Sequence, residues 1–173
     1  MLTLQAACLT PPDGHVLPAP VNAPPVIHLD SVTPREPIIN MTTDCDTFRL
    51  TVDQITDADD DKLVIRFVAD INTPNDAHVI EPDRHSAPAR EPQGVTLRAE
   101  PSDFVEYQAK RPHTLSILVT DAPRFEIPPT PTTAVDLGRI EADADGDGDD
   151  EYSVVEQRWV VNFIEGEKSC PPR

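Results

Sequence analysis

The sequence predicts an all-β protein, an antiparallel β-sandwich of about seven to nine short strands. Apolar and polar residues alternate with a period of two in several segments, which is typical of strands with one face on a core. The chain has 20 prolines among its 173 residues, and a proline inside a helix costs about 3 kcal/mol. No segment carries a long apolar stripe with helical spacing. These observations together favour strands over helices.

The strongest strand pattern lies near the C-terminus, at about residues 153–164. Val155, Trp159, Val161 and Phe163 share one face there, while polar residues occupy the other. We therefore expect Trp159 to be a central core residue. The other clear strands are 45–53, 63–69 and 113–121, and the weaker candidates are 25–32, 37–42, 94–99, 103–109 and 135–141.

Two polar, proline-rich segments, residues 71–93 and 122–134, are predicted to be long loops. Loops of this length are usually functional or disordered. In the first, His78 and His85 with the neighbouring carboxylates could hold a transition metal, and a solvent-exposed polar loop explains them equally well. We expect the two histidines near strands, His28 and His113, to be edge or boundary residues.

The sequence predicts a single sandwich domain over residues 25–173, preceded by an extended proline-rich linker over residues 9–24. Acidic residues outnumber basic ones 31 to 14, and the formal charge is −17. Such a charge excludes nucleic acid and anionic lipid surfaces as electrostatic partners. No stretch approaches the roughly 18 apolar residues that span a bilayer.

Three segments resemble, in order, parts of immunoglobulin-like or cadherin-like bacterial domains: Asn22-Ala-Pro-Pro-Val-Ile27, the acidic hairpin of residues 55–67, and the penultimate strand of residues 113–121. The resemblance covers about residues 22–164 and implies an immunoglobulin-like sandwich. The ending Arg158-Trp-Val-Val-Asn-Phe163 and the closing Cys170-Pro-Pro172 are similar to uncharacterised lipoproteins of myxobacteria. That group implies no defined activity.

Three scattered cysteines are too few for a zinc site, which draws on ligands paired a few residues apart. Cys45 opens a core strand and Cys170 follows the last one, whereas Cys8 precedes the linker. We therefore predict a disulfide between Cys45 and Cys170, with Cys8 set aside. The alternative is a cytosolic protein with three reduced cysteines.

Residues 1–8 resemble the end of a bacterial lipoprotein signal, in which small residues such as Ala6 and Ala7 precede a cysteine that receives lipid. The resemblance implies lipid on Cys8 and an extracytoplasmic location at the outer membrane or cell surface, or otherwise in the periplasm or medium. Gln5 departs from the pattern, and the basic and apolar parts of a signal are missing. Either the natural start lies upstream of Met1 or the similarity is accidental. The linker, a suitable tether, favours the first.

Seven of the eleven residues in 141–151 are acidic. The start of this loop fits the alternating carboxylates and sixth-position glycine of calcium loops, but Val154 replaces the glutamate of an EF-hand. The loop is either a weak calcium site or a solvated hairpin tip. The predicted Ca²⁺ ligands are Asp143, Asp145, Asp147, the backbone carbonyl at Asp149, and Glu151.

A second acidic cluster, Asp57, Asp59, Asp60 and Asp61, lacks a glycine and is a weaker calcium candidate by itself. It becomes a stronger one if both acidic loops lie at the same end of the sandwich.

The sequence offers no nucleophile with a base, no His-x-His pair and no Gly-x-Ser-x-Gly turn, so we predict no catalytic residues. The leading hypothesis is a non-enzymatic, surface-tethered lipoprotein module that binds an unknown protein or glycan or has a structural role. Its only membrane contact would be the lipid on Cys8. The alternative is a secreted or periplasmic hydrolase accessory domain, with residues 71–93 forming part of a site.

Overall fold

A computed structural model describes residues 22–42, 47–73, 76–88, 91–106, 111–125, 137, 138, 140, 146 and 151–164. The described residues form ten strands and two short 3₁₀ helices, Leu29–Ser31 and Pro101–Asp103. The strands are β1 (Val26–Ile27), β2 (Val32–Thr33), β3 (Ile38–Thr42), β4 (Phe48–Thr56), β5 (Lys62–Ala69), β6 (His78–Val79), β7 (Arg84–Pro88), β8 (Gln93–Ala99), β9 (His113–Thr120) and β10 (Val154–Ile164).

The strands form two sheets, one of four strands and one of six, and so confirm the predicted β-sandwich. In the first sheet β1 and β2 pair with one edge of β4, and β8 pairs with the other. The second sheet has the order β3-β10-β9-β5, and β6 and β7 both pair with β5. Strands β4 and β8 thus lie in one sheet, and β5, β9 and β10 lie in the other.

One pairing departs from the predicted antiparallel arrangement. The chain leaves the first sheet after β2, and β3 then lies parallel to β10, with Ile38 opposite Val160 and Thr42 opposite Ile164. The other described pairings are antiparallel. Periodicity could not predict this exception, because alternation is the same for both directions of pairing.

The structure confirms the clear strand predictions and corrects three others. In the candidate strand 135–141, the described residues 137, 138 and 140 are not part of a strand, and the others lie outside the described residues. Residues 71–93, predicted as a loop, contain β6 and β7, which pair with β5 and satisfy its backbone groups. The candidate strand at 103–109 is wrong for its described part, because the chain there follows the 3₁₀ helix Pro101–Asp103. A capping box starts this helix, with the N–H of Glu100 donating to the Asp103 carboxylate at 2.7 Å.

The main core lies between the two sheets and contains Trp159, which is 1% exposed as predicted. A second, smaller core covers the outer face of the six-stranded sheet, where Val64, Val68 and Leu118 pack with Phe125. Strand β5 is therefore buried on both faces. Among the described residues, no helix has the length and apolar character needed to cross a membrane.

Candidate metal centre

An acidic turn, residues 57–61, joins β4 to β5. Asp57 is buried, and its Oδ1 accepts hydrogen bonds from the backbone N–H groups of Asp59 at 2.9 Å and Asp61 at 3.3 Å. This is the local turn that aspartate side chains favour. Asp60 completes it with a φ of 69°, in the left-handed region that aspartate tolerates. The Asp57 side chain therefore stabilises the backbone conformation of the turn in which it lies.

The turn brings three carboxylates together. One oxygen from each of Asp57, Asp59 and Asp61 lies within 4.8 Å of the others, and this is the one such grouping among the described residues. Asp57 Oδ2 is buried and has no hydrogen-bond partner. A buried carboxylate oxygen without a partner is costly unless a cation or donor satisfies it. These three oxygens are hard ligands of the kind that calcium takes.

The electrostatics of the turn also favour a cation. Partial burial raises the pKa of Asp61, and the negative charges of Asp57, Asp121, Asp59 and Asp60 raise it further. Each of these carboxylates therefore makes it harder for Asp61 to ionise. A divalent cation would reverse this effect by stabilising the charged forms.

The N-terminal entry of the domain is attached to the same acidic turn. The backbone N–H of Ala23 donates to Asp59 Oδ2 at 2.6 Å, and Asn22 Nδ2 donates to Asp121 Oδ2 at 2.7 Å. Asp121 lies just after β9 and also accepts from the backbone N–H and hydroxyl of Ser153, which precedes β10. This end of the sandwich therefore joins the linker exit, the acidic turn and the start of the last strand.

Glu151, the described last residue of the second acidic loop, also lies near this end. Glu151 is partly buried and stands two residues before Ser153, the partner of Asp121. The other predicted ligands, Asp143, Asp145, Asp147 and Asp149, lie outside the described residues. Calcium binding by residues 143–151 therefore stays a prediction. The 57–61 cluster is a stronger calcium candidate if both acidic loops lie at the same end of the sandwich. The described residues that flank the two loops do lie at the same end.

The predicted cysteine chemistry also lies outside the described residues, since Cys8, Cys45 and Cys170 are all beyond them. The same is true of most of the predicted linker, of which only Asn22, Ala23 and Pro24 are described. The lipid on Cys8 and the disulfide between Cys45 and Cys170 remain predictions.

The hypothetical metal loop of residues 71–93 has a different use for its carboxylates. Three of them form ion pairs with arginines: Asp76 with Arg111 at 2.6 Å, Glu81 with Arg84 at 2.6 Å, and Asp83 with Arg66 at 2.7 Å. His78 and His85 lie on β6 and β7. The pairs with Arg66 and Arg111 connect this segment to the rest of the sandwich, and the Glu81–Arg84 pair lies within the segment.

The two boundary histidines differ from each other. His28 is half-buried, and its Nε2 lies 2.9 Å from the Thr56 hydroxyl. His113 opens β9, as a boundary residue does, but it is fully buried, with its Nδ1 2.8 Å from Asp70 Oδ2. Its ring packs edge-on between Phe104 and Phe163. Sequence reasoning missed this buried pair, because its members are 43 positions apart.

No protein-family model matches this chain, and no curated protein matches it. The chemistry of the acidic cluster therefore rests on its own geometry. The resemblances to cadherin-like domains and to myxobacterial lipoproteins remain expectations.

Proposed function

We propose that this chain is a non-enzymatic, calcium-stabilised β-sandwich module, held at the cell envelope or surface by lipid on Cys8, that binds a protein or glycan partner. The observation that carries the calcium proposal is the buried Asp57 Oδ2, which lacks a hydrogen-bond partner and stands beside Asp59 and Asp61. A cation at this point would satisfy the buried oxygen and offset the repulsion among the carboxylates.

Calcium suits the cluster better than magnesium. Calcium takes six to eight oxygen ligands in a flexible geometry, whereas magnesium demands near-octahedral geometry and releases water reluctantly. The turn supplies carboxylates from a short exposed loop rather than from a rigid cage, with only Asp57 buried. We expect weak affinity, on the order of 10⁻⁴–10⁻³ M, as in extracellular modules.

Bound calcium would stabilise the junction between linker and domain. Asp59 is both a candidate ligand and the acceptor for the N–H of Ala23. Ordering Asp59 on a cation would therefore order the entry of the chain, which is where a tether from Cys8 would transmit force. This coupling supports a role for calcium in a surface-held module.

The calcium proposal is tested by thermal unfolding of the full chain in EDTA and in calcium. At about 100 times the dissociation constant, calcium should stabilise the fold by about 2.7 kcal/mol. Asp59→Asn with Asp61→Asn should abolish the shift, while the exposed Asp53→Asn on β4 should retain it.

The double variant Asp145→Asn with Asp147→Asn distinguishes a calcium site in the loop 143–151 from one in the turn 57–61. A shift lost only in that second pair would move the site to residues 143–151, and an unmoved wild-type melting curve would refute calcium stabilisation.

The extracytoplasmic part of the proposal rests on Cys8 and on the predicted disulfide. Thr42 and Ile164 are register partners at the ends of β3 and β10, and Cys45 and Cys170 follow them by a few residues. The strand ends that precede the two cysteines in the sequence are therefore neighbours, which supports their pairing. For Cys8, a fatty-acid probe in the native host should label the wild type and not Cys8→Ser. Equal labelling of both would refute the anchor.

A further inference from the structure

A polar groove with three arginines crosses the outer face of the four-stranded sheet. Its lining residues, which we call the arginine groove, are Arg49, Glu81, Arg84, Thr96 and Arg98, and its volume is about 440 Å³. Strands β4 and β8 supply Arg49, Thr96 and Arg98, whose neighbours along each strand point into the core. The segment from Glu81 to the start of β7 forms the remaining wall.

Arg49 and Arg98 stand directly opposite each other across the β4–β8 pairing, and both are exposed. Like charges in this position destabilise a sheet. Within the described part of the chain neither arginine has an ion-pair or hydrogen-bond partner, although the protein has 31 acidic residues. Four other arginines do have carboxylate partners: Arg66, Arg84, Arg111 and Arg158. The stability of the fold does not explain why these two arginines stand opposite each other, whereas the binding of an anionic ligand would explain it.

The lining indicates the chemistry of that ligand. Guanidinium groups bind carboxylates through two parallel hydrogen bonds, and Arg49 and Arg98 line the groove from directly opposite positions. The Thr96 hydroxyl and the Glu81 carboxylate, which already binds Arg84 at 2.6 Å, offer acceptors for ligand hydroxyls. The lining contains no apolar side chain that would anchor a hydrophobic group. A compact ligand with one carboxylate and several hydroxyls fits this set.

The surroundings favour a chain of sugars over an isolated anion or a polyanion. A second groove of about 340 Å³ shares Arg49 and Arg98 and continues to Thr47, Phe48 and Glu100. The arginine pair therefore lies between two adjoining grooves, with Glu81 in the lining of one and Glu100 in the lining of the other. These carboxylates and the net charge of −17 would repel a densely charged polymer.

We propose that the arginine groove binds a uronic acid residue of a glycan, with Arg49 and Arg98 on its carboxylate and Thr96 and Glu81 near its hydroxyls. This inference rests on the proposed binding role of the module and gives it a ligand class. It does not require calcium.

The test is an NMR titration of the isotope-labelled full chain with D-glucuronate, in EDTA so that no uronate is held through calcium. D-glucose, inorganic phosphate and the blocked amino acid N-acetyl-aspartate amide serve as comparison probes. We expect glucuronate to shift the amides of residues 47–51 and 94–99, and glucose to leave them unmoved. Phosphate and the blocked aspartate should bind more weakly than glucuronate.

Three variants test the role of Arg49 and Arg98. Arg49→Gln and Arg98→Gln should each weaken glucuronate binding by about tenfold or more, equivalent to one lost charge-assisted contact. Arg98→Lys keeps the positive charge but loses the two parallel N–H donors of the guanidinium, and should also bind glucuronate more weakly than the wild type. Arg158→Gln on β10, where the arginine is paired with Glu156, is the matched control and should bind normally.

Several results would overturn the proposal. Absence of shifts with glucuronate, or equal binding by Arg98→Gln and the wild type, would remove the site. Phosphate binding as tight as glucuronate would reduce it to a general anion site, and tighter binding of the blocked aspartate would assign it to an acidic protein partner. Because calcium is absent throughout, each of these results leaves the calcium-dependent melting shift to be judged on its own measurement.

Discussion

At the scale of single residues, Trp159 shows how one side chain connects the two parts of the molecule. It belongs to the six-stranded sheet, and its indole N–H donates to the carbonyl of Pro34 at 3.1 Å. Pro34 lies in the crossing from β2 to β3, where the chain changes sheets. The ring therefore fills the core and also fixes the crossing, as a buried indole with one polar atom can.

Replacing Trp159 with alanine should lower the free energy of unfolding by about 3–5 kcal/mol, because it leaves a large cavity. Urea unfolding followed by circular dichroism measures the loss, and Trp159→Phe, which keeps most of the volume, should lose less. Trp159 is the only tryptophan, so native fluorescence reports on it directly. A red-shifted, water-like emission from the native protein would contradict its burial.

Asp61 gives a prediction about pH. Its pKa is raised by burial and by the neighbouring carboxylates, so folding favours its protonated form. Its stabilising contribution is therefore complete below the ordinary aspartate pKa and is lost as the pH rises through the raised pKa. In EDTA at neutral pH, Asp61→Asn should be more stable than the wild type, and the gap should close on acidification. Melting temperatures of both proteins across pH test this, and a gap that widened in acid would argue against the assigned shift.

At the scale of elements, the Arg66–Asp83 pair holds the β6–β7 segment on the sandwich. Arg66 lies on β5, is 4% exposed, and makes two hydrogen bonds with the Asp83 carboxylate at 2.7 Å each. Its guanidinium also donates to the carbonyl of Leu137 at 2.8 Å and stacks 4.4 Å above the ring of Phe125. One buried charge thus organises three separate segments on the outer face of the second sheet.

Asp83→Ala should destabilise the fold by about 3–5 kcal/mol, because it leaves the buried charge of Arg66 without its partner. Chemical unfolding measures the effect. Replacing both partners, with Arg66→Met and Asp83→Ala together, should recover part of the loss, since no unpaired charge remains. If Asp83→Ala unfolds like Asp53→Ala, a substitution of an exposed residue on β4, the pair has no structural role.

Element by element, alternation predicted the strands that have one face on the core. Phe48, Leu50 and Val52 on β4 are buried as their spacing indicates. The strands β6 and β7 were not predicted, because the prolines and charges of this segment indicate a loop. Ion pairs with Arg66 and Arg111 connect the segment to β5 and to the start of β9. Such pairs join distant positions, and a single sequence does not contain them.

At the scale of the whole molecule, the two ends of the sandwich differ. One end holds the acidic turn, Asp121 and the linker exit, and the other holds the buried Asp70–His113 pair. The sequence indicated an acidic calcium loop but favoured residues 143–151. Only the fold shows that Asp57 Oδ2 is buried without a partner, since burial depends on what packs over the turn.

The predicted disulfide also acts on the whole molecule, because a bond between Cys45 and Cys170 would close almost the entire domain. Chain entropy gives about 4–5 kcal/mol for a loop of this length. Reduction should lower the melting temperature by many degrees and leave the fold intact. Peptide mass spectrometry of protein prepared under oxidising conditions should find the two cysteines linked, and two free thiols would remove the main support for an extracytoplasmic location.

The central claim is that Asp57, Asp59 and Asp61 bind calcium, and calorimetric titration of calcium into the wild type and Asp57→Asn tests it most directly. Asparagine retains the Oδ1 acceptor that holds the turn together and removes the charge at the buried position. We predict binding by the wild type with a dissociation constant on the order of 10⁻⁴–10⁻³ M, and no binding at this site in Asp57→Asn. Equal heats from the two proteins, or none from the wild type, would contradict the claim.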